Sequence, residues 1–231
     1  AGSAKEFLNY LCQQGFEPAT VQIYYHALKP FLAYLGILLT AKFKKRRKLP
    51  AYHGPDQVQA VLNVIHARTG RWSQLKERDM TIVLTLAYTG IRRAELLSLR
   101  LRDINFRTRM IKVSGKGDRE RTIPIADALY EPLRKHTKGT QPSDRLFPMQ
   151  PRRLWTIITR YAAQAGIEDL HPHSFRHYFA TQLVENGVSL KTVQELLGHA
   201  DISTTAIYLD VVPKHLSNAV ERLPKFALTA I

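Results

Sequence analysis

Apolar residues recur along most of the chain at the three- to four-residue spacing of an α-helix. Val21, Tyr24 and Leu28 follow this spacing, and residues 80–88 are almost entirely apolar. The first pattern places the apolar side chains on one face of a helix, and the second indicates a helix that is buried on all sides. The chain is therefore predicted to be mainly helical.

Capping residues indicate where these helices begin and end. Ser3 is in position to cap a first helix, and Pro55 marks the first turn of another. Pro30 is expected to break or kink the second helix, because proline removes a backbone donor and clashes with the preceding turn. Gly90 is expected to end the apolar helix. The predicted helices are 4–14, 20–35, one that begins at 54–56, 80–88, 95–99, 127–138, 152–164, 174–186, 189–197, 203–209 and 213–222.

The period of the pattern changes between residues 104 and 125. Ile111, Val113 and Ile123 alternate with polar residues, which is the period of a strand with one buried face. The intervening residues 114–118 read Ser-Gly-Lys-Gly-Asp and predict a tight hairpin. We therefore expect an α+β fold, mainly α with a small three-stranded antiparallel β-sheet.

The charge of the chain indicates its partner. Lysine and arginine total 34 against 19 aspartate and glutamate, which gives a formal net charge of +15. An excess of this size favours a polyanion, and a nucleic acid such as double-stranded DNA is expected before a membrane surface. A generic basic, soluble protein, such as a ribosome-associated factor, is the alternative. Apolar residues make up 45% of the chain, which is enough for a sizeable core.

A basic run divides the chain into two parts. Residues 42–48 hold six cations in seven positions, and repulsion among them favours an extended linker. The predicted domains are therefore 1–49 and 50–231. The run could follow a DNA backbone or serve only as a solvated tether. Its candidate DNA-binding residues are Lys42, Lys44, Lys45, Arg46, Arg47 and Lys48.

Cysteine content and apolar segments restrict the class of protein further. Cys12 is the only cysteine, which excludes an internal disulfide and a site of several thiolates, and it fits a cytoplasmic location. The apolar residues 31–41 precede the basic run in the manner of a membrane anchor. Eleven residues are too few to span a bilayer, so no membrane contact is expected.

Several residues could act together on a phosphodiester. Arg92 follows the buried helix and Arg176 lies in the first turn of another, and two arginines can hold the non-bridging oxygens of one phosphate. Tyr208 offers a phenol that could attack the phosphorus, and Lys116 in the hairpin could protonate the departing oxygen. Taken singly, each is more commonly a surface or core residue. Their combination indicates DNA strand-transfer chemistry through a phosphotyrosine.

The histidines of the same region admit a second interpretation, a metal site. His173 and His177 are one helical turn apart, and His171 is near them. However, the glutamate of zinc-protease motifs is missing here, and no acidic cluster could hold magnesium. We therefore expect no metal and no cofactor. Instead, His173 and His199 are a candidate base and a candidate hydrogen-bond partner.

Four motifs follow one another along the chain. They are Thr-Gly-Ile-Arg-x-x-Glu from Thr89, His-x-x-Arg-His from His173, Leu-Leu-Gly-His from Leu196 and Ser-Thr-Thr-x-x-Tyr from Ser203. In this order they resemble the tyrosine recombinase (phage integrase) family, over about 52–222. The resemblance implies the catalytic-domain fold of that family, preceded by part of a helical core-binding domain. Since that domain is usually longer in the family, an N-terminal portion is expected to be missing.

The resemblance also implies roles for individual residues. The implied catalytic set is Arg92, Lys116, His173, Arg176, His199 and Tyr208. In it the arginines clamp the scissile phosphate, the first histidine is the general base, and the lysine is the general acid. The second histidine hydrogen-bonds to the phosphate, and the tyrosine forms a 3′-phosphotyrosine. Glu95 and His177 would support these groups, and Asp210, where many relatives have histidine, leaves the roles intact.

An assembly and a reaction are implied as well. The segment 213–231 resembles a C-terminal helix that docks on a neighbouring protomer, with packing on its own domain as the alternative. Four protomers on paired DNA sites would cut and rejoin strands in the integration, excision or resolution of DNA, as in a mobile element. Two other activities stay open, a type IB topoisomerase that reseals the original strand and a DNA-binding protein that does not cleave.

Overall fold

The computed structural model describes residues 2–41, 43, 51–115, 120–199 and 203–208. Within them the architecture is mainly helical with a three-stranded antiparallel sheet, as predicted. The chain forms two compact units, Ala1–Lys48 and Leu49–Ile231. The predicted helix at 213–222, the candidate acid Lys116 and the cations of the basic run lie outside the described residues.

The smaller unit contains two helices, α1 (Gly2–Gln13) and α2 (Pro18–Tyr34). Their buried side chains include Leu11 of α1 and Val21 and Tyr25 of α2, which form one apolar cluster. The last two are four residues apart, as the apolar face of a helix requires. The helical pattern of this part of the sequence is therefore realised as a helix pair.

Two details of this unit differ from the prediction. α1 already begins at Gly2, so Ser3 lies inside the helix and does not cap it. α2 continues through Pro30, so of the break or kink expected there the break does not occur. Pro30 and His26 are both exposed, and water can therefore hydrate the His26 carbonyl that proline leaves without a backbone donor.

The larger unit contains the other described α-helices. They are α3 (Pro55–His66), α4 (Lys76–Thr89), α5 (Arg93–Ser98), α6 (Asp127–His136), α7 (Pro151–Gln164), α8 (Ser174–Glu185), α9 (Leu190–Leu197) and α10 (Ser203–Ala206). As predicted, α3 begins with proline, and α4 ends where Gly90 adopts a left-handed conformation with φ of +58°. None of the helices in the described ranges combines the length and the apolarity needed to cross a bilayer.

The sheet has the predicted antiparallel form. Its strands are β1 (Ile104–Asn105), β2 (Met110–Ser114) and β3 (Glu120–Pro124), in the order β1-β2-β3. Ile111 pairs with Ile104 on one side and Ile123 on the other, and this row of residues is buried. Arg121 stands two residues before Ile123 and therefore shares its face of the sheet.

Helix α4 lies at the centre of the larger unit, where it contacts α3, α6 and α8. Three threonines interrupt its apolar sequence and are buried, namely Thr81, Thr85 and Thr89. Each hydroxyl donates to the backbone carbonyl one helical turn earlier, so these polar groups are satisfied without a partner from another helix. One stripe of the helix is less covered: Met80 and Leu84 are partly buried and Tyr88 is 40% exposed, so the expectation of burial on all sides was wrong for this face.

A separate apolar cluster forms where α8, α9 and the end of the described chain meet. It contains Ala180, Val184, Val193, Leu197 and Tyr208. Tyr208 as a whole is 2% exposed. The candidate nucleophile is therefore packed into the fold by its ring, and only its hydroxyl can carry a polar function.

Candidate active site

Arg92 lies between α4 and α5, directly after the turn at Gly90. A Cβ atom at Gly90 would lie 2.5 Å from the ring of Phe179, so only glycine fits this turn. The Arg92 side chain donates to Glu95 Oε1 at 2.8 Å, and its backbone N–H donates to Oε2 at 2.7 Å. The side chain is nevertheless 42% exposed. Its guanidinium is thus held by a carboxylate and still accessible to a ligand.

Arg176, in the first turn of α8, is 1% exposed. Its Nη1 donates to the carbonyl of Gly90 at 2.8 Å, and its Nη2 donates to that of Leu197 at 2.7 Å. These bonds fix the guanidinium and leave other N–H groups of the fork for a ligand. Burial, followed by the charges of Arg92 and Arg121, lowers the pKa of Arg176 to about 10. The residue is charged at neutral pH and lies close to two other cations.

Glu95 is the carboxylate that holds these cations together. Arg121 donates from Nη1 to Glu95 Oε1 at 3.0 Å and from Nη2 to Oε2 at 2.8 Å. Burial alone would raise the pKa of Glu95, but the hydrogen bonds from Arg121 and from the Arg92 backbone lower it to about 2. Arg92 and Arg121 both bind this carboxylate, and Arg176 is near enough to both for their charges to lower its pKa. Positive charge is therefore in excess.

His199 is placed by the turn that ends α9. Gly198 has φ of +65°, and a Cβ atom there would lie 2.9 Å from the Arg121 side chain. The Nδ1 atom of His199 lies 2.8 Å from the Oγ1 atom of the fully buried Thr205. Burial, followed by the positive charge of Arg176, lowers the pKa of His199 to about 4. Its imidazole is therefore neutral at pH 7.

The hydroxyl of Tyr208 lies 3.1 Å from the Nδ1 atom of His177. The ring of His173 meets that of His177 edge-on, with 4.6 Å between their centroids. Burial raises the pKa of Tyr208, whereas the charge of Arg176 lowers it. Burial lowers the pKa of His173 and brings that of His177 to about 4. The structure thus places His177 at the hydroxyl, and His173 one ring further away.

These contacts bring residues from distant parts of the sequence into one region. The charges of Arg92 and Arg176 lower the pKa values of both His173 and His199, so all four groups lie within electrostatic reach of one another. The predicted site residues that lie here are Arg92, Glu95, His173, Arg176, His177, His199 and Tyr208. Lys116 and the cations at 42–48 are outside the described residues, and the structure says nothing of their position.

Three residues of this region are absent from the predicted set: Arg121, Thr205 and His53. Arg121 could have been found from the strand pattern, because it shares the buried face of β3 with Ile123, and a cation on such a face needs an acidic partner. Thr205 belongs to the Ser-Thr-Thr motif, although the motif does not show that its hydroxyl meets His199. The sequence carries no signal for His53.

Comparison with known proteins identifies the family. The family model described as "Phage integrase family" matches residues 53–215. The chain belongs to the phage integrase family. Tyrosine recombinase XerA of Pyrococcus furiosus is 35% identical to it over 237 residues, with 96% of this chain and 80% of the relative covered. Tyrosine recombinase XerD of Listeria monocytogenes is 32% identical over 240 residues, with 94% and 80% covered.

Solved structures of a recombinase and an integrase share the fold. The XerH site-specific recombinase, bound to its difH substrate before cleavage, superposes with a TM-score of 0.76 at 25% identity, with 94% of this chain and 69% of that chain covered. The Tn1549 transposon integrase, in complex with a circular-intermediate DNA, gives a TM-score of 0.74 at 20% identity, with 96% and 85% covered. The predicted fold and enzyme class, a tyrosine recombinase, are therefore confirmed.

Proposed function

We propose that this chain is a site-specific recombinase that cuts and rejoins double-stranded DNA through a 3′-phosphotyrosine on Tyr208. The observation that carries the proposal is the excess of positive charge around Arg92 and Arg176, within electrostatic reach of a tyrosine hydroxyl. An anion would relieve the repulsion among these arginines. A phosphodiester matches their geometry, because two guanidinium forks can bind its two non-bridging oxygens.

The fixed position of Arg176 favours catalysis over simple binding. Two backbone carbonyls hold its guanidinium before any DNA arrives. Negative charge on the equatorial oxygens increases as the phosphorus becomes pentavalent, so preorganised cations stabilise the transition state more than the ground state. Arg92, held by Glu95, supplies the second fixed cation. The neutral His199 adds a hydrogen bond to the same phosphate.

The first chemical step is an attack by Tyr208. Its oxygen forms a bond to phosphorus while the bond from phosphorus to the 5′ oxygen breaks. The phenol must lose its proton in this step, because burial keeps its pKa above the ordinary value. We assign the base to His173, as the family resemblance implies, with His177 holding the hydroxyl. Lys116 protonates the departing 5′ oxygen, which makes a 5′ hydroxyl.

The second step reverses the first on a different strand. The 5′ hydroxyl of a partner strand attacks the phosphotyrosine, a new phosphodiester forms, and the tyrosine leaves with a proton. The ester retains the energy of the original bond, so rejoining requires no nucleotide hydrolysis. Conservation of the bond energy in the phosphotyrosine ester distinguishes strand exchange from cutting followed by ligation.

The partners follow from the charge and from the relatives. The XerH and Tn1549 structures contain DNA, and the net charge of +15 suits the same partner here. We propose that the basic run 42–48 follows the DNA backbone and that the unit Ala1–Lys48 is part of a core-binding domain. Four protomers would assemble on paired sites, with segment 213–231 docking on a neighbour. DNA as substrate and Cys12 as the single cysteine suit a cytoplasmic location.

Nicked duplexes tiled across the DNA that flanks the gene would test the proposal. On such a suicide substrate, a duplex bound by the wild-type protein should become covalently attached. Tyr208→Phe should bind that duplex equally well and form no adduct, whereas Tyr130→Phe, a matched change elsewhere in the unit, should behave as wild type. Binding without an adduct would contradict the proposal in favour of a non-cleaving protein. Resealing of the original strand, without joining to a second duplex, would indicate a topoisomerase.

A further inference from the structure

A small cavity lies beside Tyr208. Its volume is about 10 Å³, and its lining comprises Ala51, Tyr52, His53, His177, Tyr178, Thr181 and Tyr208. A space of this size holds about one water molecule. Both members of the hydrogen bond between Tyr208 and His177 line it, so a polar group in this cavity is well placed to influence the nucleophile.

The hydrogen bonds of His53 define which of its nitrogens carries a proton. Its Nδ1 atom lies 3.2 Å from Gln57 Oε1. The same oxygen accepts the backbone N–H of Gly54 at 3.2 Å, which identifies it as the carbonyl oxygen of the amide. Nδ1 must therefore carry the proton and donate it. In the neutral ring, Nε2 is then an acceptor with a lone pair.

The Nε2 atom of His53 is buried and has no hydrogen-bond partner among the residues that the structure describes. His53 as a whole is 5% exposed. A buried acceptor without a partner destabilises the fold, whereas an apolar side chain of similar size would not. A polar group in the cavity would give Nε2 the partner that it lacks among these residues.

His53 is held firmly against the helix that carries His177. The hydroxyl of the preceding residue, Tyr52, donates to Glu185 on α8 at 3.1 Å. A positive charge on His53 would contribute to lowering the pKa of His177, which places the two rings within electrostatic reach. The segment before α3 is thus fastened at Tyr52 to α8 and at His53 to the first turn of α3.

We propose that His53 is a positioning residue for Tyr208, acting through one water molecule in this cavity. The water donates one O–H to His53 Nε2. Its second O–H and its lone pairs are then available for hydrogen bonds with the pair formed by His177 and Tyr208. This arrangement fixes the direction of the tyrosine hydroxyl before DNA binds, and no proton is transferred to His53. The inference rests on the proposed function, since it gives Tyr208 the role of nucleophile.

Asparagine and glutamine at position 53 distinguish the contributions of the two histidine nitrogens. In His53→Asn, the amide nitrogen can replace Nδ1 and donate to Gln57, but nothing reaches the cavity. In His53→Gln, the longer side chain places an amide oxygen near the position of Nε2. His66→Asn changes an exposed histidine at the end of α3 and is the matched control.

Three quantities are measured for each variant: the single-turnover rate of adduct formation on the suicide duplex, the dissociation constant for that duplex, and the urea midpoint of unfolding. His53→Asn should slow adduct formation about tenfold, as expected for the loss of one orienting hydrogen bond. Its DNA affinity and its unfolding midpoint should stay at the wild-type values. His53→Gln should recover to within about threefold of wild type, and His66→Asn should not differ from it.

Two results would overturn the inference alone. In one, His53→Asn forms the adduct at the wild-type rate. In the other, both variants at position 53 are equally slow and unfold at lower urea, which would give the histidine only a structural role. Failure of the proposed function would look different, because the wild-type protein itself would then form no adduct.

Discussion

Replacing Glu95 by glutamine should lower the free energy of unfolding of the larger unit by about 3 kcal/mol at neutral pH. The Glu95 carboxylate is 5% exposed and accepts hydrogen bonds from Arg92 and Arg121. Its pKa is about 2, against an ordinary value of 4.5. Each pH unit of that difference corresponds to about 1.4 kcal/mol, so the ionised carboxylate stabilises the fold by about 3 kcal/mol at neutral pH. Glu95→Gln removes this charge and leaves Arg121, whose side chain is only 10% exposed, without its counter-ion.

The stabilisation by the Glu95 carboxylate should also depend on pH. Because the folded-state pKa lies below the ordinary value, the stabilisation is fully present above pH 4.5 and is lost as the pH falls towards 2. The difference between wild type and Glu95→Gln should therefore shrink from about 3 kcal/mol at pH 7 to about 1.4 kcal/mol at pH 3. At pH 7 the Glu95→Gln substitution should lower the melting temperature by about 6–12 °C for a unit of this size.

Urea unfolding followed by circular dichroism at pH 7 and pH 3 measures both quantities. Glu131→Gln is the matched control, because Glu131 pairs with Arg134 on the surface and its side chain is 67% exposed. That variant should differ from wild type by less than about 0.5 kcal/mol. If Glu95→Gln unfolds like wild type at pH 7, or if the difference does not change with pH, the reasoning about the arginine cluster is refuted.

Three further predictions concern the groups around the phosphate site. Gly90→Ala should destabilise the unit by about 1–3 kcal/mol in urea unfolding, because its Cβ would overlap Phe179, whereas Gly139→Ala, which shares the left-handed backbone but has open space, should cost less. Thr205→Val should slow adduct formation about tenfold through loss of the bond to His199, and Thr205→Ser should restore it. The pKa of His199 is about 4 against 6.5, so the unfolded chain alone binds its proton in that window. Stability should therefore fall as pH drops from 6.5 to 4, and His199→Gln should flatten that slope in urea titrations.

Much of the fold could be predicted because local chemistry decides it. Gly90 ends α4 in a left-handed turn whatever lies around it, and the alternation of Ile111 and Val113 requires a strand with one buried face. Pro30 shows the limit of such reasoning. Proline disfavours a helix interior, but on an exposed face water can replace the lost hydrogen bond, and the sequence does not reveal which face that is.

The sequence motifs predict which residues belong to the candidate site, but not which hydrogen bonds those residues make. The motifs name Arg92 and Arg176, yet the fact that Arg176 binds the carbonyl of Gly90, 86 positions earlier in the chain, depends on how α4 and α8 pack. The partner of Tyr208 illustrates the same point. His173 and His177 belong to one motif, the first directly before α8 and the second in its first turns, and only the packing of α8 decides that His177 meets the hydroxyl.

Covalent attachment of DNA to Tyr208 can be checked by identifying the residue that carries the DNA. A suicide duplex with a labelled 3′ side would be incubated with the wild-type protein, the adduct digested with protease, and the labelled peptide sequenced by mass spectrometry. We expect a single modified residue, Tyr208, linked through its phenolic oxygen to a 3′-phosphate. A label on any other side chain, or a 5′ linkage, would contradict it.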